Sequence, residues 1–408
     1  MLRPRQLFPA IQAHLAQKAY TIITGARQVG KTSLLRLLYQ QLTQAGEAVF
    51  YLSLEDPRVK AATSEHPDRL LQFMAKRPEP IWEQTQEKPI YLLLDEVQYA
   101  QDPSHLLKYL YDRYEQNLKI VATGSSAFYI DRKFQDSLAG RKRIFELYPL
   151  SFTELLEFRD LPDLVAEVNL MRSRADFMSP SIERLTGLFY EYLTYGGYPA
   201  VVMEDDPTGK QFLLEELKNA YVRRDILESG VDKEPKFYLL LQLLADQTGG
   251  QINKQELANT AGLDSKTVDH YIYILQKCYH IQIVRPFFRN IRKELTKMPK
   301  VYFNDLGMRN ALLNRFPLIQ DRPDKGQLLE NYFFLRLRGS YPAEQIRFWR
   351  TSLQQEVDFV IEEQFGKGKA FEIKWNAAAF SPGKYSAFTE AYPGFSLDCL
   401  SAQDFYRF

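Results

Sequence analysis

Two rhythms of apolar residues alternate along the first 150 positions. Residues 20–24 (YTIIT) and the stretches EAVFYLSLED, PIYLLLDEVQ and LKIVATGSS are short apolar runs, with the length and bulk of strands buried in a sheet. Residues 33–44 instead place Leu34, Leu35, Leu37, Leu38 and Leu42 at helical spacing. Strands alternating with helical patterns predict an α/β fold, a parallel sheet with helices on both faces. The rhythm changes near residue 150. PLSFTELLEF and much of 180–245 read as helices, with a turn at Tyr195-Gly196-Gly197-Tyr198-Pro199. From 253 to 303 the chain predicts a helix-turn-helix and a wing. Asn253 caps KQELANTA, Gly262 breaks the chain, Asp264 or Ser265 caps SKTVDHYIYILQKC, and HIQIVRPFF is a strand. GQLLENYFFLRLR is then a helix, and IRFWR, QEVDFVIEE and KAFEIKW are strands, the last two joined by FGKGK as a hairpin. The expected division is 1–150, 151–245, 246–305 and 306–408.

Composition narrows the class. The 408 residues suffice for two or three domains, and 45% hydrophobic with 25% charged residues exclude wholesale disorder. A formal net charge of +1 means that any nucleic-acid surface must be a local basic patch. The two cysteines, Cys278 and Cys399, form neither a disulfide framework nor a thiolate zinc site, and the five histidines show no metal-ligand spacing. The opening MLRPRQLFPAIQ lacks the apolar run of a signal peptide, and no stretch approaches the ~20 apolar residues that span a bilayer. A reducing, cytoplasmic location without a membrane partner is expected.

The sharpest chemistry follows the first strand. Gly25-Ala26-Arg27-Gln28-Val29-Gly30-Lys31-Thr32, with Ser33 after it, fits G-x-x-x-x-G-K-[ST] between a strand and a helix. Glycines let the backbone N–H groups and the helix N-terminus face phosphate oxygens; Lys31 reaches the β- and γ-phosphates, and Thr32 is a ligand for Mg²⁺. Roughly 60 residues on, an apolar strand ends in Asp95-Glu96. Asp95 there would hold magnesium, mostly through water, and Glu96 would activate the attacking water. Ser125, in Thr123-Gly124-Ser125-Ser126, offers a hydroxyl to the γ-phosphate or the water, or is a simple turn residue. Arg141, in LAGRKR, is a candidate arginine finger acting across a subunit boundary, with a solvated basic surface as the alternative.

GARQVGKTSLL, LLLDEVQ, TGSS, LAGRKRIFELYPLSFTELL and YLTYGGYPAVV together resemble the prokaryotic AAA+ ATPases that carry the domain of unknown function 4143. The resemblance covers nearly the whole chain. It implies ATP as nucleotide and an AAA-type core of about 150 residues, then a helical middle, a winged helix and a nuclease-like C-terminal domain. It also implies self-association into a ring, with six subunits as the expected number, and gives Arg141 its role in trans. Arg223 or Arg224, in the segment YVRRDI, would reach the nucleotide from a helical lid or pair with Asp225 or Glu228.

Two features point to nucleic acid. The second helix of the helix-turn-helix presents Lys266 and Thr267 near its N-terminus. The wing gathers Arg285, Arg289, Arg292, Lys293, Lys297 and Lys300, with Glu294 opposing them. In the C-terminal hairpin, Glu372 and Lys374 share one strand face and Asp358 joins them from the neighbouring strand. Two carboxylates to hold Mg²⁺ and a lysine to position water resemble a restriction-endonuclease-like PD-(D/E)xK core, with Glu330 as a fourth member. Trp349 and Trp375 are expected in the core. The expected function is an ATP-hydrolysing protein that binds or remodels DNA, branched DNA included. An ATP-gated, metal-dependent nuclease and a nucleotide-controlled regulatory switch are the alternatives.

Overall fold

Strands β1 (Tyr20–Gly25), β2 (Val49–Ser53), β3 (Ile90–Asp95), β4 (Leu118–Gly124) and β5 (Lys142–Leu147) form a parallel sheet in the order β2-β3-β4-β1-β5. The computed structural model describes residues 2–82, 87–124, 140–288, 294 and 297–408. Every residue of β1 and β4 is buried, which is why these strands read as mostly apolar runs. β5 lies at an edge and exposes Arg143, Ile144 and Glu146, so KRIFEL gives only a weak strand signal. The helix Lys31–Gln44 buries Leu34, Leu35, Leu38 and Leu42 as one stripe. Because all five strands are parallel, their C-terminal ends share one edge, and that edge carries the phosphate motif and the acidic pair.

The described chain divides into two compact units. One comprises Met1–Tyr148 with Lys277–Tyr279; the other comprises Pro149–Gln276 with His280–Phe408. In the second unit, β6 (Ile281–Pro286), β7 (Lys300–Phe303), β8 (Ile346–Arg350), β9 (Glu356–Gln364), β10 (Lys367–Lys374) and β11 (Phe395–Ser401) form one sheet in the order β11-β10-β9-β8-β6-β7. The strands expected to form a wing are thus continuous with the C-terminal strands. Their link is the short parallel pairing of Arg285 and Pro286 with Arg347 and Phe348. Segments 246–305 and 306–408, expected as separate domains, share this sheet inside one unit.

The Tyr195–Pro199 turn is a packing joint. Gly197 N–H donates to Asp305 Oδ2 at 2.7 Å, and Leu150 N–H donates to Gly197 O at 2.7 Å. A Cβ on Gly197 would lie 2.1 Å from Leu150 O; one on Gly196, where φ is 73°, would lie 2.3 Å from Asp305 Oδ1. Only glycine permits both approaches. Trp349 is buried against Phe388, and Trp375 stacks on Tyr190. Among the described residues, no helix is long and apolar enough to cross a membrane.

Candidate functional site

The phosphate loop leaves β1 at Gly25 and enters the helix at Lys31. Gly25 has φ 154°, and a Cβ there would stand 2.0 Å from Leu147 O on β5. Gly30 is left-handed at φ 99° and is the N-cap of the helix. Gln28 is also left-handed, at φ 55°, a conformation that costs of order 1 kcal/mol for a residue with a Cβ. Ala26 and Val29 are buried beneath the loop, Arg27 and Thr32 are half-buried, and Gln28 and Ser33 are exposed. Lys31 is buried, with Nζ donating to Gly25 O at 3.0 Å and Ala26 O at 2.8 Å. Its ammonium is therefore held over the loop, where a triphosphate would lie.

One participant escaped sequence reasoning. Arg5, 6% exposed, donates from its guanidinium to Val29 O at 2.7 Å and Tyr148 O at 2.8 Å. It ties the N-terminal segment to the loop across 24 positions, and no local pattern announces such a bond.

Asp95 ends β3 and Thr123 lies on the adjacent β4, so the two meet at the sheet edge. Thr123 Oγ1 donates to Asp95 Oδ1, and Tyr51 OH, from β2, donates to Asp95 Oδ2 at 2.6 Å. Burial and the Asp95 carboxylate push the Tyr51 phenol well above its ordinary pKa, so it remains a donor. Glu96 is left-handed at φ 54°; its N–H donates to Thr123 Oγ1 at 3.0 Å, and its Oε2 accepts a hydrogen bond from Gln98 Nε2. The threonine hydroxyl thus accepts from one acidic residue's backbone and donates to the other's side chain. Asp95 is 3% exposed and Glu96 is half-buried, the gradation expected of a metal-side acid and a water-side base. The glycine cradle, the buried ammonium, the Thr32 hydroxyl and Asp95 make a donor set that fits a nucleoside triphosphate with Mg²⁺.

Ser125 lies outside the described residues; Thr123 engages both Asp95 and Glu96. Arg141 directly precedes β5, opposite the start of β1, and so lies at the sheet edge away from the phosphate loop of its own chain. It pairs with Asp112 at 3.1 Å and lies over the Tyr111 ring.

The second unit brings Glu330, Asp358, Glu372 and Lys374 together, but not as two carboxylates awaiting a metal. Lys300 Nζ lies 2.8 Å from Glu330 Oε1, 2.6 Å from Glu356 Oε1 and 3.3 Å from Asp358 Oδ1. Asp358 Oδ2 accepts the Ile373 N–H at 2.9 Å, and Glu372 Oε1 is paired with Lys374 Nζ. Among the described residues, no group of three or more His, Cys, Asp or Glu is arranged to hold a metal ion. Of the two carboxylates expected to hold Mg²⁺, Asp358 Oδ1 and Glu372 Oε1 each face a lysine ammonium, while Glu372 Oε2 is buried with no hydrogen-bond partner among the described residues. Lys300, expected on the basic wing, is 1% exposed and points into this cluster. Sequence reasoning missed this because Lys300 follows a run of cations in the sequence, while its burial depends on β7 joining the sheet.

On the helix-turn-helix, Lys266 is exposed, but Thr267 is committed to capping. Its N–H and Oγ1 donate to Asp264 at 2.9 and 2.6 Å. Arg285 is exposed on β6; Arg289, Arg292 and Lys293 lie outside the described residues. A groove of about 460 Å³ is lined by Lys254, Ser265, Asp269, Arg285 and Lys297. Asp269 pairs with Lys254 within it. Arg223 and Arg224 are exposed, and Asp225 is engaged by His280 at 2.8 Å.

Comparison with known proteins agrees with this layout. Residues 17–156 match an AAA domain family, 186–318 match the domain of unknown function 8612, and 325–398 match the domain of unknown function 4143. Residues 17–156 thus carry a P-loop AAA domain, and residues 325–398 carry the domain of unknown function 4143. It is similar to an uncharacterized protein of Methanocaldococcus jannaschii, 27% identical over 79% of this chain and 70% of the relative. It is also similar to an uncharacterized protein of Haemophilus influenzae, 27% identical over 88% of this chain and 82% of the relative. Among solved structures, the ADP form of the Aeropyrum pernix ORC2 protein aligns over 77% of this chain and 95% of its own, with a TM-score of 0.36 at 13% identity. That likeness is too distant to bear on function.

Proposed function

We propose that this chain is a magnesium-dependent ATPase that works as a self-associating assembly on DNA. The observation that carries the reading is the Asp95–Thr123–Glu96 arrangement at the same sheet edge as the Gly25–Thr32 loop. The loop N–H groups and Lys31 would bind the phosphates, and Thr32 with Asp95 would hold Mg²⁺, which neutralises charge developing on the phosphoryl oxygens. Glu96, fixed by its backbone bond to Thr123 and oriented by Gln98, takes the proton of the attacking water. Self-association rests on the AAA-domain match rather than on Arg141, which holds Asp112. The DNA part rests on exposed Lys266, Arg285 and Lys297 around the helix-turn-helix groove.

Steady-state phosphate release and nucleotide binding test the core of this reading. Lys31→Ala is expected to abolish both. Glu96→Gln is expected to keep binding while lowering kcat roughly 100-fold or more. Wild-type protein that binds no ATP, or Glu96→Gln that turns over at the wild-type rate, sinks it.

A further inference from the structure

The buried charges at the C-terminal sheet carry an inference independent of the ATPase reading. We propose that Lys300 Nζ is the resident cation of this carboxylate cluster, so that the domain takes up a divalent metal only when that ammonium is removed. Lys300 is a β7 residue whose ammonium lies 2.6–3.3 Å from oxygens of Glu330, Glu356 and Asp358. Those are hydrogen-bond separations, and the three oxygens match the three donors of an ammonium. The side chain is 1% exposed, and Nζ sits 5.5 Å from the centroid of the Phe348 ring. Lys300 is paired with Val284 in the sheet, so withdrawing the ammonium means opening the sheet edge.

The charges close around it. Arg350 takes the other oxygen of Glu356 at 2.7 Å, and Lys374 takes Glu372. Four carboxylates then face three cations, leaving a single negative charge. Burial and the nearby Asp358 charge raise both Glu330 and Glu372 above the usual carboxylate range, and one proton on this pair completes neutrality. Burial alone would lower Lys300, but Glu330, Tyr302, Asp358 and Glu356 raise it well above its ordinary value, so the ammonium stays charged. Tyr302 OH donates to Glu330 at 2.6 Å and seals the cluster on that side. A divalent ion entering here meets a fixed positive charge, and Glu330 Oε1, both Glu356 oxygens, Asp358 Oδ1 and Glu372 Oε1 already face cations. On this proposal the C-terminal domain keeps a nuclease-like pattern of residues but holds a lysine ammonium where a nuclease would hold its metal.

The experiment measures Mn²⁺ binding to the full-length, nucleotide-free protein by calorimetry, in wild type, Asp358→Asn, Lys300→Met and the Lys300→Met/Asp358→Asn double variant. Wild type and Asp358→Asn are expected to bind Mn²⁺ alike, with no site that depends on Asp358. Lys300→Met is expected to gain one site, bound at least ~10-fold more tightly than any wild-type Mn²⁺ binding, and Asp358→Asn added to it removes that site. Where Lys300→Met does not fold, Lys300→Gln, which keeps a donor without the charge, takes its place. A wild-type site lost in a folded Asp358→Asn variant overturns the proposal, as does a folded Lys300 variant that gains no site. Thermal unfolding of wild type unchanged by EDTA supports it; a lowered Tm counts against it.

Discussion

At the scale of single residues, Thr123 does what no acidic residue can do alone. Its hydroxyl has one proton, given to Asp95, and lone pairs, one of which accepts the Glu96 N–H. Valine has the same shape and neither function. Thr123→Val is expected to lower kcat about tenfold, with little change in ATP affinity, because it releases the base rather than the phosphate loop. Unchanged single-turnover hydrolysis argues against that role. The sequence marked the end of β4 as a place for a hydroxyl and named Ser125, which lies outside the described residues; the part played by Thr123 depends on strand register, which the sequence does not display. His14 supplies a second residue-scale prediction. Burial, then the positive charges of Lys119 and Arg143, lower its pKa to about 4 from an ordinary 6.5. The neutral imidazole is bonded to Thr21 Oγ1 at 2.8 Å. A base with a depressed folded-state pKa contributes fully above the unfolded value and loses that contribution as pH falls from 6.5 towards 4. Stability should therefore decline over that interval as the imidazole is forced to take up a proton. Denaturant unfolding at several pH values, compared with His14→Gln, checks this: the variant should lack that part of the acid dependence.

At the scale of elements, legibility followed burial. β1, β3 and β4 were evident because burial on both faces makes most of their positions apolar. The helix after the loop was evident because Leu34, Leu35, Leu38 and Leu42 form one stripe. β5 was missed because an edge strand can expose Arg143 and Glu146 without cost. The connection of β6 to β8 was hidden for a different reason. Two residue pairs between segments some 60 positions apart leave no local trace, and burial of Lys300 follows from that connection. Arg5 is the same case in the first unit: a single arginine near the N-terminus links the phosphate loop to the end of β5. Its guanidinium is buried and donates to two backbone carbonyls, Val29 O and Tyr148 O. Arg5→Ala is expected to destabilise the first unit by about 3 kcal/mol and to raise the KM for ATP, since Val29 lies within the loop. Arg5→Lys should restore only part of this, because one ammonium cannot span both carbonyls as the planar fork does. An unchanged KM in a folded Arg5→Ala protein would limit Arg5 to stability alone.

At the scale of the whole molecule, a net charge of +1 gives no long-range attraction for nucleic acid, so binding to DNA has to come from a small set of cations. The structure reduces the set that sequence proposed. Lys300 is spent inside the carboxylate cluster, and Lys254 is matched by Asp269. Lys266, Arg285 and Lys297 remain exposed among the described residues of this region, and Asp264 accepts from Thr267. Each phosphate neutralised on duplex DNA contributes about 0.9 to the slope of log affinity against log salt. Three such contacts give a slope near 2.7, shallow enough that binding should be measurable at about 50 mM salt and nearly lost at about 200 mM. Replacing Lys266 and Arg285 together by alanine should lower the slope by roughly 2 and weaken binding to all sequences alike, because these contacts read phosphate rather than bases. Fluorescence anisotropy over a salt series, with and without a non-hydrolysable ATP analogue, measures both. A slope well above 3 points to further cations outside the described residues, where Arg289, Arg292 and Lys293 lie. No binding at low salt removes DNA from the proposed function and leaves a nucleotide-controlled regulatory switch, whose assembly would then change between ATP and ADP.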